Sequence, residues 1–267
     1  MTRAERSAPY MLSAALAALM ALQASVGLLA PSIYRDAEWA KAAWYGNDIV
    51  TLGVAVPLLA VSLAYARRGS RAAELVWFSM LGYALYNYAF YVFGARMNEL
   101  FPLYVGLFVL PAVALALALG RYDVTALAEA FSPRTPRRLV SGYMALTGVG
   151  LGVAWLAQWA GWVFGGVEPA IGEEPFTLIA SLDLSLIVPY FVLGAVLLWR
   201  GRPWGYVLGT IMCLKGATYT LVLTVSSVVG AARGIEGSAG QVPVWGAWTL
   251  VGAAATFGLL SGLRRAR

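Results

Sequence analysis

The sequence predicts an all-α protein that crosses a membrane eight times, and three observations predict it. Charged residues make up 12% of the chain, about half the roughly 25% usual in soluble proteins. The hydrophobic residues, 60% of the total, fall in blocks of about 20, the length that carries a helix across a bilayer core. An outer-membrane barrel would show alternating segments of about 10 instead. Lys and Arg gather in short clusters between the blocks, as topology-setting charges do.

The elements follow in order. Residues 1–7 are short and basic and lead into an apolar run, 9–30. A signal peptide begins the same way, but the run is long for one and is echoed later, so it is read as a retained first span. Residues 31–46 form a polar connection with Tyr34, Trp39, Trp44 and Tyr45, suited to an aromatic belt at the membrane surface. The second span covers 47–66, the third 72–94 and the fourth 101–120. Residues 121–138 are the longest polar connection, and 123–131 within them are expected to form a short interfacial helix. The fifth span covers 139–164. An acidic loop with Glu168, Glu173 and Glu174 follows, then the sixth span at 182–199 and the seventh at 206–229. A Gly-rich loop, 233–243, precedes the eighth at 244–263.

Orientation follows from the cations. With the N-terminus inside, 14 Lys and Arg residues lie on the cytoplasmic side, while Arg35, Lys41, Arg96 and Arg233 lie outside. That bias is strongly positive-inside and puts both termini in the cytoplasm of a bacterial-type inner membrane.

Composition also excludes chemistry. The net charge of +6 sits in inter-span clusters, so it does not form a nucleic-acid face and no nucleic-acid partner is expected. The chain has no histidine and one cysteine, Cys213, inside a span. His-ligated haem, His–metal sites, Cys-rich metal sites and intrachain disulfides are thereby ruled out. No nucleotide-binding, zinc-protease or Asp-rich prenyl-diphosphate motif is present. No cofactor, metal site or catalytic residue is expected.

The halves of the chain echo each other. Tyr10-Met11 pairs with Tyr143-Met144, Gln23 with Gln158, Asp48 with Asp183, and Ala84-Leu85-Tyr86 with Ala217-Thr218-Tyr219. These offsets fall at about 133–135, and Pro102-Leu103-Tyr104 against Pro243-Val244-Trp245 follows at a larger one. The pattern predicts a four-plus-four duplication: 1–120 as the first repeat, 121–138 as a cytoplasmic linker and 139–267 as the second. An even number of spans per unit makes the repeats parallel, an arrangement seen in membrane carriers.

Ionisable residues inside hydrocarbon are costly and commonly mark sites. Asp183 and Lys215, in the sixth and seventh spans, are the first candidates. At 1.5 Å per residue, Lys215 is about 15 Å and Asp183 about 2–9 Å from the outer face. They would form a binding or relay pair; otherwise they are a structural ion pair, or Asp183 is a helix cap as Asp48 would be in the sister half. Asn87 stands in the stretch Tyr83 to Tyr91, the most polar and aromatic of any span, about 7–10 Å deep by the same rise. Its helix face, shared with Tyr83 and Tyr91, could line a pocket for a flat or cationic ligand; interhelical hydrogen bonding plus interfacial aromatics would also account for it. Gly148/Gly152, Gly161/Gly165, Gly205/Gly209 and Gly258/Gly262 have small-xxx-small spacing, which serves close helix packing, within the chain or in a homo-oligomer.

The leading expectation is an inner-membrane protein, in contact with lipid, that binds or translocates a small solute or ion in an outward-facing polar–aromatic cavity. Asp183, Lys215, Asn87, Tyr86, Tyr219 and Asp48 would be its ligand residues. One rival is a membrane enzyme on a lipid or isoprenoid substrate, with Asp183 and Lys215 as acid and base. Another is an assembly or sensory subunit with no site of its own.

Overall fold

Helices form wherever the sequence supplies a long apolar run between polar or Gly-containing turns, and the computed structural model describes residues 3–264. The helices are α1 (Arg3–Leu29), α2 (Glu38–Val50), α3 (Val56–Ala66), α4 (Arg71–Gly94), α5 (Phe101–Leu119), α6 (Val124–Glu129), α7 (Arg137–Gly165), α8 (Glu173–Leu182), α9 (Val188–Trp199), α10 (Pro203–Ala232) and α11 (Ser238–Leu260). A 3-10 turn, Pro31–Ile33, follows α1. Among the described residues there is no strand; a lone antiparallel bridge joins Phe131 and Leu263. Arg265 and Arg267, counted among the cytoplasmic cations, lie outside the described residues.

Seven helical stretches among them are long and apolar enough to cross a bilayer: Ser7–Leu29, Glu38–Ala66, Phe101–Leu119, Arg137–Gly165, Glu173–Trp199, Pro203–Ala232 and Ser238–Leu260. The protein is thus a multi-pass helical membrane protein by the length and composition of its helices. The exception is α4, diluted by Glu74, Tyr83, Tyr86, Asn87, Tyr88 and Tyr91. Fourteen of its 24 residues are buried, against four of 19 in α5, so its polar groups meet protein.

Two of these stretches begin earlier than hydropathy predicts. The predicted second span starts at Glu38 and the predicted sixth at Glu173, because amphipathic turns extend each helix beyond its apolar run. Asp48 therefore lies deep inside a helix rather than at its head. Asp183 also has helical backbone (φ −68°, ψ −47°) after ten residues of α8, so the cap reading fails for both. Each stretch contains a wide π turn, Thr51–Ala55 or Asp183–Ile187, and a proline follows it, Pro57 or Pro189, in the first turn of the next helix. Proline lacks an N–H and its ring crowds the carbonyl four residues back; a widened turn relieves that conflict.

The connections obey local rules. Ser70 caps α4 by accepting from the Ala73 N–H at 3.4 Å. The short helix expected at 123–131 forms as α6, capped by Asp123 Oδ1, which accepts from Thr125 N at 3.1 Å and Ala126 N at 2.9 Å. Gly166 ends α7 at φ +68°, the left-handed cap glycine adopts without strain.

The chain packs as two compact units. The first comprises the described residues up to Tyr122 with Cys213–Ala254; the second comprises Asp123–Met212 with the chain from Ala255 on. In the first, α4 packs on α3 and α5, and α1 packs on α2, α3 and α5. Leu16, Met20, Leu59, Phe78, Leu81 and Leu107 are wholly or almost wholly buried in it. In the second, α7 packs on α9. A Cβ at Gly148 would stand 2.9 Å from Phe191 Cβ, and one at Gly152 3.1 Å from Val188 Cγ1, so that glycine pair serves packing within the chain. Gly258 and Gly262 likewise face Pro136 and Thr135, whereas nothing lies within 4 Å at Gly161 or Gly165.

Candidate functional site

In the first unit the polar side chains of α1, α2 and α4 converge on Asp48, which has no exposed surface. Its Oδ1 accepts from Gln23 Nε2 at 3.0 Å and from the Tyr91 hydroxyl at 3.0 Å. Its Oδ2 accepts from the Tyr34 hydroxyl at 2.5 Å. Gln23 Nε2 also donates to Tyr34 Oη at 3.0 Å, while Gln23 Oε1 accepts from the Tyr88 hydroxyl at 3.0 Å. Every polar atom of the Gln23 amide is thus engaged. Among the described residues the carboxyl is held by neutral donors, and no lysine or arginine is among its hydrogen-bond or ion-pair partners.

The approach of α1 to this carboxyl depends on Gly27, one turn beyond Gln23 and so on the same helix face. A Cβ there would lie 2.0 Å from Asp48 Oδ2 and 2.3 Å from Tyr34 Oη. Tyr34, in the connection after α1, is pushed well above the usual phenol range, first by burial and then by the Asp48 carboxyl. The aromatic-belt expectation for residues 31–46 is corrected here. Tyr34, Trp44 and Tyr45 are buried in protein, and Trp39, 48% exposed, is the one open to a membrane surface.

Asn87 extends the polar layer. It lies between Tyr83, whose hydroxyl donates to Asn47 Oδ1 at 3.2 Å, and Tyr91, which holds Asp48. The three residues share a helix face. Asn87 is 1% exposed, and neither its Oδ1 nor its Nδ2 has a hydrogen-bond partner among the described residues.

One residue before it, the Tyr86 ring packs at a steep angle on Tyr219, with centroids 4.8 Å apart. The Lys215 ammonium, on a side chain 5% exposed, stands 3.4 Å from the Tyr86 centroid. A cation over an aromatic face is attracted by the ring quadrupole, more strongly when desolvated. Lys215 and Tyr219 lie one turn apart on α10, which explains their shared neighbour.

Asp183 belongs to the second unit. It is 8% exposed, and its Oδ2 accepts from Trp155 Nε1 at 2.9 Å. Gln158, the sequence counterpart of Gln23, instead donates to Ala154 O within its own helix at 3.3 Å. Asp48, Asn87, Tyr86, Lys215 and Tyr219 are thus residues of one unit, and Asp183 is a residue of the other.

Glu74 lies in the first turn of α4 and accepts from the Tyr122 hydroxyl at 2.9 Å. Sequence reasoning missed Tyr34 and Trp155 as partners of Asp48 and Asp183, Tyr88 as the partner of Gln23, and Gly27 as the point of close approach. The four-residue spacing of Gln23 and Gly27 is the one local signal that could have found part of the set. The chain matches no family model, no curated protein and no solved structure.

Proposed function

We propose that this is an eight-span inner-membrane protein with cytoplasmic termini, made of two parallel four-helix repeats, that binds or translocates a small solute or ion. The first unit supplies the site: Asp48 as its acidic centre, Asn87 as ligand, and Tyr86, Lys215 and Tyr219 beside them. Several observations support this. A helix enclosed by protein can cross the membrane while carrying polar residues, which accounts for α4 as the eighth span. The matching π turns, each ahead of a proline, add a backbone feature to the sequence echoes between the halves.

The observation that carries the functional reading is Asn87. Burying an amide without partners costs about 1–3 kcal/mol for each unsatisfied group, and a leucine of similar volume would avoid that cost. An asparagine kept there one turn from Tyr91, itself bonded to Asp48, is suited to a polar ligand or small cation.

The test is a thermal-shift screen of the purified full chain against alkali-metal ions, pH and small polar solutes. A ligand of the folded state raises Tm by mass action. Asn87→Leu should melt at or above the parent without ligand and lose the ligand-dependent rise. If Asn87→Leu responds to every ligand as the parent does, or is stabilised while nothing in the panel shifts the parent, the reading is wrong.

A further inference from the structure

In the second unit, four arginines gather where α9 ends and α7 and α10 begin. The α9–α10 turn reads Trp199-Arg200-Gly201-Arg202-Pro203-Trp204. Gly201 has φ +65°, and a Cβ there would stand 3.3 Å from Arg137 Cζ and overlap its Nη1. The Arg137 guanidinium, from the first residue of α7, therefore lies over the residue that separates Arg200 from Arg202. Arg138 Cζ stands 5.9 Å from the Trp199 ring centroid.

The positive charge here is not offset by protein. Helix N-termini carry partial positive charge, which acidic residues in the first turn relieve. Neither α7 nor α10 has an acidic residue in its first turn, and α7 opens with Arg137 and Arg138 instead. Among the described residues, no carboxylate forms an ion pair with any of the four arginines. Crowded guanidiniums repel one another, and an anion seated among them removes that cost. The forked N–H donors of arginine match the oxygens of a phosphate. The turn also lies where one candidate span ends, at Trp199, and the next begins, at Pro203. Trp199 and Trp204 are 55% and 40% exposed there, as tryptophans at headgroup depth are. A phosphate at that depth belongs to lipid. The α3–α4 turn differs: its Arg71 lies in the field of the Glu74 carboxylate.

We propose that the α9–α10 turn and the start of α7 bind the phosphate of an anionic phospholipid, held by Arg137, Arg200 and Arg202 with Arg138 and Trp199 beside them. The lipid site is independent of the one at Asp48 and Asn87.

Native mass spectrometry of the full chain in an uncharged detergent tests it, with phosphatidylglycerol and phosphatidylcholine of identical acyl chains as probes. The parent should prefer phosphatidylglycerol by about tenfold or more. Arg137→Gln/Arg200→Gln/Arg202→Gln should cut that preference at least about threefold. Arg67→Gln/Arg68→Gln/Arg71→Gln removes the same charge from the α3–α4 turn and should cut it less. Arg200 and Arg202 are exposed, so Arg200→Gln/Arg202→Gln keeps the test valid if the triple variant folds poorly, and it should reduce the preference in the same direction. Equal retention of the two lipids by the parent overturns the proposal. So does an equal fall in the two triple variants, which would make the effect one of net charge. Displacement of phosphatidylglycerol by millimolar glycerol 3-phosphate also overturns it, since the site would then serve a soluble phosphate. Asn87→Leu should leave the lipid preference intact.

Discussion

At the scale of single residues, Gly27 makes the sharpest demand. The Asp48 network needs α1 to approach α2 so closely that a methyl group at residue 27 would overlap the carboxylate and the Tyr34 hydroxyl. Those atoms are held by four hydrogen bonds from Gln23, Tyr34 and Tyr91, so the methyl has nowhere to go without breaking some of them. Gly27→Ala should lower Tm by an amount matching roughly 1–3 kcal/mol or more. Gly53→Ala, where nothing lies within 4 Å, should leave it nearly unchanged. Equal melting of the two variants would mean that α1 does not pack as described. Tyr34 adds a pH signature. Burial and the Asp48 carboxyl raise its pKa, as burial and Glu74 raise that of Tyr122. The folded state therefore keeps these phenols neutral while the unfolded chain ionises them near pH 10. Their contribution to stability is complete below about pH 10 and is lost as pH rises beyond it. Melting followed from pH 8 upward should show a decline that is shallower in Tyr34→Phe/Tyr122→Phe; an unchanged slope would contradict this.

At the scale of elements, α4 and the two π turns decide how the polar groups are placed. Spans were legible from apolar length, and the α6 segment as a short interfacial helix within the longest polar connection. The starts of α2 and α8 were not, because Glu38–Asn47 and Glu173–Ser181 are too polar for a hydropathy argument and become helical by continuing an apolar helix outward. That shift turned Asp48 from a supposed cap into a buried acceptor. Its donors could not be read locally: Gln23 is 25 residues away and Tyr91 is 43, and only the packing of α1, α2 and α4 brings them together. Lys215 and Asn87 were legible as polar intrusions into apolar sequence. The Tyr86 ring beneath Lys215 was named from its aromatic stretch, yet the cation–ring contact depends on α10 reaching α4. The polar face of α4 is tolerable in a membrane because its neighbours cover it, a property of the assembled unit and not of the helix alone.

At the scale of the whole molecule, the account depends on α4 crossing the membrane, since it carries Asn87, Tyr86 and Tyr91 and fixes the sidedness of everything after it. Seven helical stretches among the described residues qualify as spans by length and apolarity, and α4 supplies the eighth in the proposed topology. With eight crossings, the clusters Arg67–Arg68 and Arg134–Arg138 face the same cytoplasmic side, as positive-inside bias requires. Without α4 they would face opposite sides. Alkaline phosphatase and green fluorescent protein fused after Ser70, Asn98, Arg134 and Glu173 read this directly. The account predicts cytoplasmic, external, cytoplasmic and external signals in that order. A cytoplasmic signal at Asn98, with Arg134 external and Glu173 cytoplasmic, would show that α4 does not cross and would contradict it.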